Sequence, residues 1–345
     1  MPADFSFKFA APVVLHYSEH YRIPRDAEPR VYHGFSGATV WRLQTPAGEF
    51  ALRCWGKPSP PVARLRGLHR LLRFIFDRGV ECVSVPVAAL NGSTIVEQDG
   101  DLWQLEPWMP GEADFRNDPR PARLRNAMLA LAAWHNAAGD FVAGAREREW
   151  LRTETAGISP AVGERLQKIH RWRRGRLARL RREVNASDAD AEWRALARRV
   201  VAHFDRAAPC VLAELQSAQE LHVPLQPCLR DVWHDHLLFT DDAVTGLIDP
   251  AACRTESVAA DLARLLGSLV GNDDAARQSA LRDYGERRVL LPAELQLLPI
   301  LDRSAILLSG MTWLDRYYLQ RREFLDADAV YGRLAHIVSR FDFAD

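Results

Sequence analysis

The hydrophobic pattern of this chain changes period once, near Pro110-Gly111, and few architectures accommodate such a change. Upstream, short β-rich runs alternate with turn residues: Val31-Tyr32, Thr39 to Leu43, Pro46-Ala47-Gly48, Phe50 to Trp55, then Asn91-Gly92 and Asp99-Gly100 flanking Ser93 to Gln98, and lastly Leu102 to Glu106. Asn-Gly and Asp-Gly pairs tolerate the positive φ angles of tight hairpins, so this spacing predicts an antiparallel meander. One helix interrupts it, beginning after Pro61, carrying Leu65, Leu68, Leu72, Ile75 and Phe76 at three- and four-residue spacing, and stopping at Gly79. Downstream, Leu124, Met128, Leu131 and His135 recur at helical spacing, and most of residues 120–222 reads as helix. Strands gathered at one end and helices at the other predict an α+β chain of two lobes, residues 1–109 and 110–345.

Composition removes several functional classes. With 345 residues, 48% of them hydrophobic, the chain can bury a sizeable core, which excludes disorder and small disulfide scaffolds. The 45 basic residues cancel the 45 acidic ones, so no net field favours nucleic acid or a membrane surface. Residues 163–183 hold nine Lys/Arg against two Glu, which reads as a solvated helix face. Five widely spaced cysteines without a C-x-x-C pair argue against a disulfide framework or a structural zinc site. No run approaches eighteen uninterrupted apolar residues, and the first residues lack a basic start followed by an apolar stretch. A cytoplasmic protein with a small-molecule partner is expected, with no nucleic acid or membrane; oligomeric state is left open.

Residues 228–263 carry the chemistry. They parse as a polar loop with Asp231, a short strand Leu237 to Phe239, a turn, a second strand Val244 to Ile248, and Asp249. Such a hairpin returns the chain so that two carboxylates meet at one mouth, able to orient a hydroxyl and hold a divalent cation. Leu229-Arg230-Asp231, His236-Leu237-Leu238, Leu247-Ile248-Asp249 and Asp261-Leu262-Ala263 resemble the H-G-D-x-x-x-x-N, I-D and D-L-A pattern of the aminoglycoside/choline kinase phosphotransferase family, which has a protein-kinase-like fold. The spacing agrees: five residues from Asp231 to His236, eighteen to Asp249, twelve more to Asp261. Gly34-Phe35-Ser36-Gly37-Ala38-Thr39-Val40-Trp41 is similar to that family's glycine loop, Glu106 to Gly111 to its hinge, and Leu131-Ala132-Ala133-Trp134-His135 to its L-A-x-L-H helix.

The resemblance implies a protein-kinase-like fold, with a small antiparallel-sheet lobe and a larger, mainly helical lobe that bears the catalytic loop and acceptor site. It also implies in-line transfer of the γ-phosphoryl group of ATP to a hydroxyl of a small molecule. Asp231 would be the base and Asp249 a ligand of Mg²⁺. Gly34, Ser36 and Gly37 would cover the phosphates, Arg53 would stand where the family has a phosphate-binding lysine, and Glu106, Trp108 and Met109 would present main-chain groups to adenine. Asp261 would cap or brace its own helix. Three departures accompany it. His236 replaces the metal-binding asparagine, which favours Mn²⁺ over Mg²⁺. Arg53 keeps a positive charge without a lysine's geometry, with Lys57 as a substitute. The helix at 61–78 offers no glutamate to pair with it. These departures leave a pseudokinase that binds nucleotide without turnover as the alternative, and the His234-Asp235-His236 run leaves a metal-dependent hydrolase as a lesser one.

On the acceptor side, Trp233 and His234 flank the catalytic loop, and Trp313, Arg316 and Tyr317 lie near the carboxyl-terminal end. Trp313 and Tyr317, four apart, predict an aromatic edge beside the buried stripe of Ile300, Leu307, Met311, Leu314 and Tyr318, and aromatics at this spacing are expected to pack against the core ahead of facing an acceptor. An edge that did face the acceptor would suit a cation, whereas Arg316 and its neighbours suit an anion.

Overall fold

A computed structural model describes residues 10–22, 29–33, 38–187, 189–322, 324 and 326–341. The chain divides into two compact units, Met1–Thr153 with His234–Arg254, and Glu154–Trp233 with Thr255–Asp345.

In the first unit, α1 (Ala11–Val14) precedes five strands, β1 (Arg30–His33), β2 (Thr39–Thr45), β3 (Gly48–Cys54), β4 (Val96–Gln98) and β5 (Asp101–Pro107). They form one antiparallel sheet of order β1-β2-β3-β5-β4. Trp41, Leu43, Leu52 and Leu105 face a core closed by Val13, Val14 and Tyr17, with Trp41 and Trp103 stacked at 5.4 Å. Asp99 (φ 54°) and Gly100 (φ 77°) make the tight β4–β5 hairpin expected of an Asp-Gly pair. The strand expected from Ser93 starts only at Val96, because the Ser93 hydroxyl bonds both the carbonyl and the amide of Ile95 and draws that backbone out of the ladder.

Helix α2 (Val62–Asp77) buries Leu65, Leu68, Leu72 and Ile75 and ends at Gly79 (φ 87°). Helix α3 (Pro121–Gly139) and the hairpin of β8 (Leu237–Thr240) and β9 (Ala243–Leu247) complete this unit. Glu112 and Phe239 exchange both backbone bonds at 2.9 Å, and Leu247 donates to the Cys82 carbonyl at 2.6 Å. Gly111 (φ 96°) permits that approach, since a Cβ there would lie 2.6 Å from the Phe239 carbonyl oxygen. The change of period at residue 110 therefore falls inside the first unit.

The second unit sets β6 (Glu154–Ile158), β7 (His222–Cys228) and β10 (Arg254–Glu256) into a small sheet of order β10-β7-β6. Around it lie α4 (Pro160–Arg171), α5 (Leu177–Ala186), α6 (Ala191–Ser217), α7 (Val258–Leu269), α8 (Asp274–Gly285), α9 (Pro292–Leu314) and α10 (Ala327–Ser339). Helix α9 is the hub, packing against α4, α6, α7 and α10. The segment Pro292–Leu319 is long and apolar enough to cross a membrane, yet 67% of its apolar window is buried within the protein, as befits a core helix. The basic run at 163–183 is not one helix: it breaks at Arg174 and Gly175 (φ 97°), and Arg173, Arg174, Arg179 and Arg182 are exposed.

Candidate active site

In the first unit the site begins with strand parity. Arg53 on β3 pairs in register with Gln104 on β5, and side chains two apart share a face, so Arg53, Trp55, Gln104 and Glu106 gather on one side. A chain of bonds follows. Arg53 Nε donates to Glu106 Oε1 at 3.2 Å and its Nη1 to Asp249 Oδ1 at 3.4 Å. Gln104 Nε2 donates to Glu106 Oε2 at 2.9 Å, while its Oε1 accepts from Trp55 Nε1 at 3.0 Å and faces His69 Nε2 at 3.1 Å. In the neutral ring, with Nε2 donating, His69 Nδ1 accepts from the Thr94 hydroxyl at 2.7 Å. Burial agrees, pushing His69 down to about 4.

Desolvation works against the Arg53 cation, but the carboxylates of Glu106 and Asp249 more than offset it and its pKa lies above the usual guanidinium value. Burial pushes the Glu106 carboxyl up, against the pull of Arg53. The guanidinium is thus the fixed charge of the pair. A small, open recess lies over these groups, lined by Arg53, Trp55, His69, Gln104, Glu106 and Asp249.

Helix α2 indeed supplies no glutamate, and its place is taken by Glu106 from the strand alongside. The expected hinge is accordingly specialised: the Glu106 side chain turns inward, the Trp108 amide donates to the Glu49 carbonyl at 3.0 Å, and Met109 is the next residue onward. Trp108 is itself covered by Arg42, 4.8 Å from the ring centroid. Lys57 does not substitute for the family lysine; it pairs with Asp101 at 2.9 Å on the exposed side. The glycine loop with Gly34, Ser36 and Gly37 lies outside the described residues.

Asp249 follows β9 in the left-handed conformation (φ 54°, ψ 56°), which aspartate tolerates better than most residues. Its Oδ2 lies 3.9 Å from His236 Nε2, and the Ile248 amide bonds the His236 carbonyl at 3.0 Å to hold the two segments together. Neighbouring ligands of an octahedral cation with bonds near 2.1 Å stand roughly 3 Å apart, so this carboxylate oxygen and imidazole nitrogen have the chemistry to share a divalent ion but must close by about 1 Å to do so as adjacent ligands. His234 is buried and faces Asp235 at 3.1 Å rather than joining that pair.

In the second unit the Asp231 loop is held from beneath. Asp261 is fully buried, and its two oxygens accept the consecutive amides of Leu229 (2.7 Å) and Arg230 (2.6 Å). Asp261 therefore braces the loop, while Ser257 caps α7. Arg230 adopts φ 64°, a costly conformation for a residue with a side chain, and its guanidinium is anchored on Glu164 at 2.5 Å and near Glu256 at 3.7 Å. Glu256 in turn accepts from the Ser159 hydroxyl and the amides of Ala161 and Ser257. Asp231 is half exposed, and Arg264, one helical turn beyond Asp261, donates to its Oδ1 at 2.9 Å.

Of the two readings of Trp313 and Tyr317, packing against neighbouring side chains is the one seen, and each ring has its own neighbours. The helix widens into a π-turn at Asp315–Leu319. Tyr317 packs on Trp193 at 4.7 Å and Tyr318 at 4.8 Å. Trp313 joins a stack instead: Arg333 lies 4.0 Å over Trp233 and 5.7 Å over Trp313, and Arg316 lies 5.0 Å over Trp313. Arg333, Gln104 and the bracing role of Asp261 were missed from the sequence, and of these only the family spacing of Asp261 carried a signal.

Residues 29–298 match the family model described as "Phosphotransferase enzyme family". The chain belongs to that family. Among curated relatives of this phosphotransferase, homoserine kinase from Gluconacetobacter diazotrophicus is 32% identical over 233 residues, covering 61% of this chain and 70% of the relative. Homoserine kinase from Brucella anthropi is 26% identical over 271 residues, covering 76% and 71%. That from a Methylobacterium species is 34% identical over 129 residues, covering 34% and 40%. The chain thus spans between 40% and 71% of the lengths of these three relatives. Among solved structures, spectinomycin phosphotransferase in complex with ADP and spectinomycin matches with a TM-score of 0.68 at 12% identity, over 100% of this chain and 99% of that one. A microcompartment-associated aminopropanol kinase matches with a TM-score of 0.58 at 14% identity, over 98% and 96%. At such identities the likeness is one of fold, the α+β kinase-like architecture. With the family match and the kinase relatives, the protein is a small-molecule kinase.

Proposed function

We propose that this kinase moves the γ-phosphoryl group of ATP to the side-chain hydroxyl of a small hydroxy amino acid of the homoserine type, in the cytoplasm. The observation that carries the reading is the bond chain from Gln104 through Glu106 and Arg53 to Asp249, which aims one fixed positive charge and one carboxylate at the same recess. The first unit supplies the nucleotide groups. Arg53 would donate to a non-transferred phosphate, Met109 would offer main-chain polarity to adenine, and Asp249 with His236 would hold the divalent cation, Mg²⁺ or Mn²⁺, whose contribution when bound is neutralisation of phosphate charge. The second unit supplies the acceptor groups. Asp231 would accept the proton of the hydroxyl as its oxygen bonds to the γ-phosphorus, while the bond from that phosphorus to the β–γ bridging oxygen breaks and ADP departs with the electron pair. Asp261 and Arg264 set the position of Asp231 before the reaction, which is where enzymes of this chemistry gain most of their rate.

ADP release with homoserine as acceptor tests the reading. Asp231→Ala is expected to abolish acceptor-dependent ADP production while sparing metal–nucleotide affinity, and Asp249→Ala to weaken metal–nucleotide binding itself. Wild type that binds ATP tightly yet turns over none of a broad set of hydroxyl compounds would establish a nucleotide-binding pseudokinase instead.

A further inference from the structure

The stack Trp233, Arg333, Trp313, Arg316 in the second unit has no role in phosphate or metal binding as described above. Its geometry is specific: two guanidinium carbons at 4.0 to 5.7 Å from two indole rings, all four residues half-buried. Stacking fixes the guanidinium planes and dries one face of each, which orients the in-plane N–H fork of Arg316 for a planar partner. Trp233 stands two positions after Asp231, so the stack begins at the segment that holds the proposed base.

We propose that this stack is the subsite for the carboxylate of the acceptor, so that the substrate is a hydroxy acid or hydroxy amino acid and not an amino alcohol or aminoglycoside. The inference deepens the proposed function and rests on it. A planar guanidinium matches a carboxylate in two parallel bonds, and the same positive edge repels a cationic acceptor. The local charges fit an anionic guest. Desolvation lowers the pKa of Arg316 and nearby Arg322 lowers it further, while Asp231 and Asp315 pull the other way without prevailing. Both carboxylates are already engaged by other arginines, Asp231 by Arg264 at 2.9 Å and Asp315 by Arg176 at 2.9 Å through Nε. An arriving carboxylate would relieve that unfavourable field, whereas an ammonium group would worsen it.

Three acceptors separate the possibilities: L-homoserine, 3-amino-1-propanol, which is the same skeleton without the carboxylate, and 4-hydroxybutyrate, which keeps the carboxylate and lacks the amine. The expected result is turnover of both acids, with kcat/KM for the amino alcohol lower by about a hundredfold, the scale of a lost buried ion pair. Arg316→Gln should lower kcat/KM for homoserine by about a hundredfold, raise that for cationic 3-amino-1-propanol by relieving its repulsion, leave the KM for ATP as in wild type, and be partly rescued for homoserine in Arg316→Lys. Arg333→Gln is the second variant, with denaturation midpoints showing that both variants fold. Equal rates for homoserine and the amino alcohol, or variants that depress all three acceptors alike, would overturn the proposal while leaving the kinase reading in place. Failure of the kinase reading looks different: no nucleotide binding and no ADP from any acceptor. Calorimetric titration of homoserine then still decides, since binding to wild type that is lost in Arg316→Gln supports the subsite and absence of binding to wild type removes it.

Discussion

Asp261→Asn is the substitution in which geometry makes the strongest statement. The carboxylate is fully buried and accepts two consecutive amides, from Leu229 at 2.7 Å and Arg230 at 2.6 Å. An asparagine can accept only one of these; its NH₂ group must face the other N–H, donor against donor. Losing one charge-assisted bond and stranding one buried amide costs about 2–4 kcal/mol in all. The strained φ of 64° at Arg230 is held by the same bonds, so part of the relaxation falls on the loop that carries Asp231. For a unit of this size, a loss in the middle of that range lowers the melting temperature by about 6–12 °C. The catalytic effect is larger than the loss of stability suggests, because moving a proposed base by about 1 Å costs roughly a hundredfold in kcat. The groups proposed to bind nucleotide lie in the other unit, so nucleotide affinity is expected to hold. Asp261→Ala provides the contrast: it strands both buried amides and leaves a cavity, so its cost in stability should exceed that of Asn. Denaturant midpoints, single-turnover ADP release and ATP titration measure the three quantities. An Asn variant with wild-type kcat, or one whose loss appears equally in ATP affinity, would refute the bracing role.

Arg53→Ala should weaken ATP far more than adenosine in equilibrium titrations; equal losses for both would assign Arg53 to the fold and not to the phosphates. His236→Asn should shift the metal preference from Mn²⁺ toward Mg²⁺ in parallel ADP-release assays, because an amide oxygen is the harder ligand, and an unchanged ratio would leave His236 with a hydrogen-bonding role only. His69 is neutral in the fold, with its pKa lowered from 6.5 to about 4, so the unfolded chain binds its proton first on acidification. Its contribution to stability is therefore complete above about pH 6.5 and lost as pH falls toward 4. In His69→Asn the acid-side decline over that range should be smaller by about 3 kcal/mol, read from denaturation midpoints at stepped pH.

What the sequence determined by itself was whatever depends on neighbours within a few residues. Pro61 and Gly79 delimit α2, Asp99-Gly100 closes β4–β5, and the intervals linking Asp231, His236, Asp249 and Asp261 carry the family because loop and hairpin lengths are local quantities. Within that reach it also failed where side chains or helix winding intervened: the Ser93 hydroxyl delayed a strand, and a π-turn interrupts the α-helix at Asp315–Leu319. Tertiary structure decided the partners. Glu106 replaces the missing helix glutamate only because the β3–β5 register sets Arg53 opposite Gln104, and nothing in either strand alone reveals that pairing. Arg230 takes a left-handed turn because a buried carboxylate on α7 holds its amide, and Arg333 enters the stack over Trp233 and Trp313 because α10 packs on α9. Backbone preferences are worth a kcal/mol or so per residue and can be read along the chain, whereas burying a charge costs several and is settled only where packing brings its counter-charge from a distant segment.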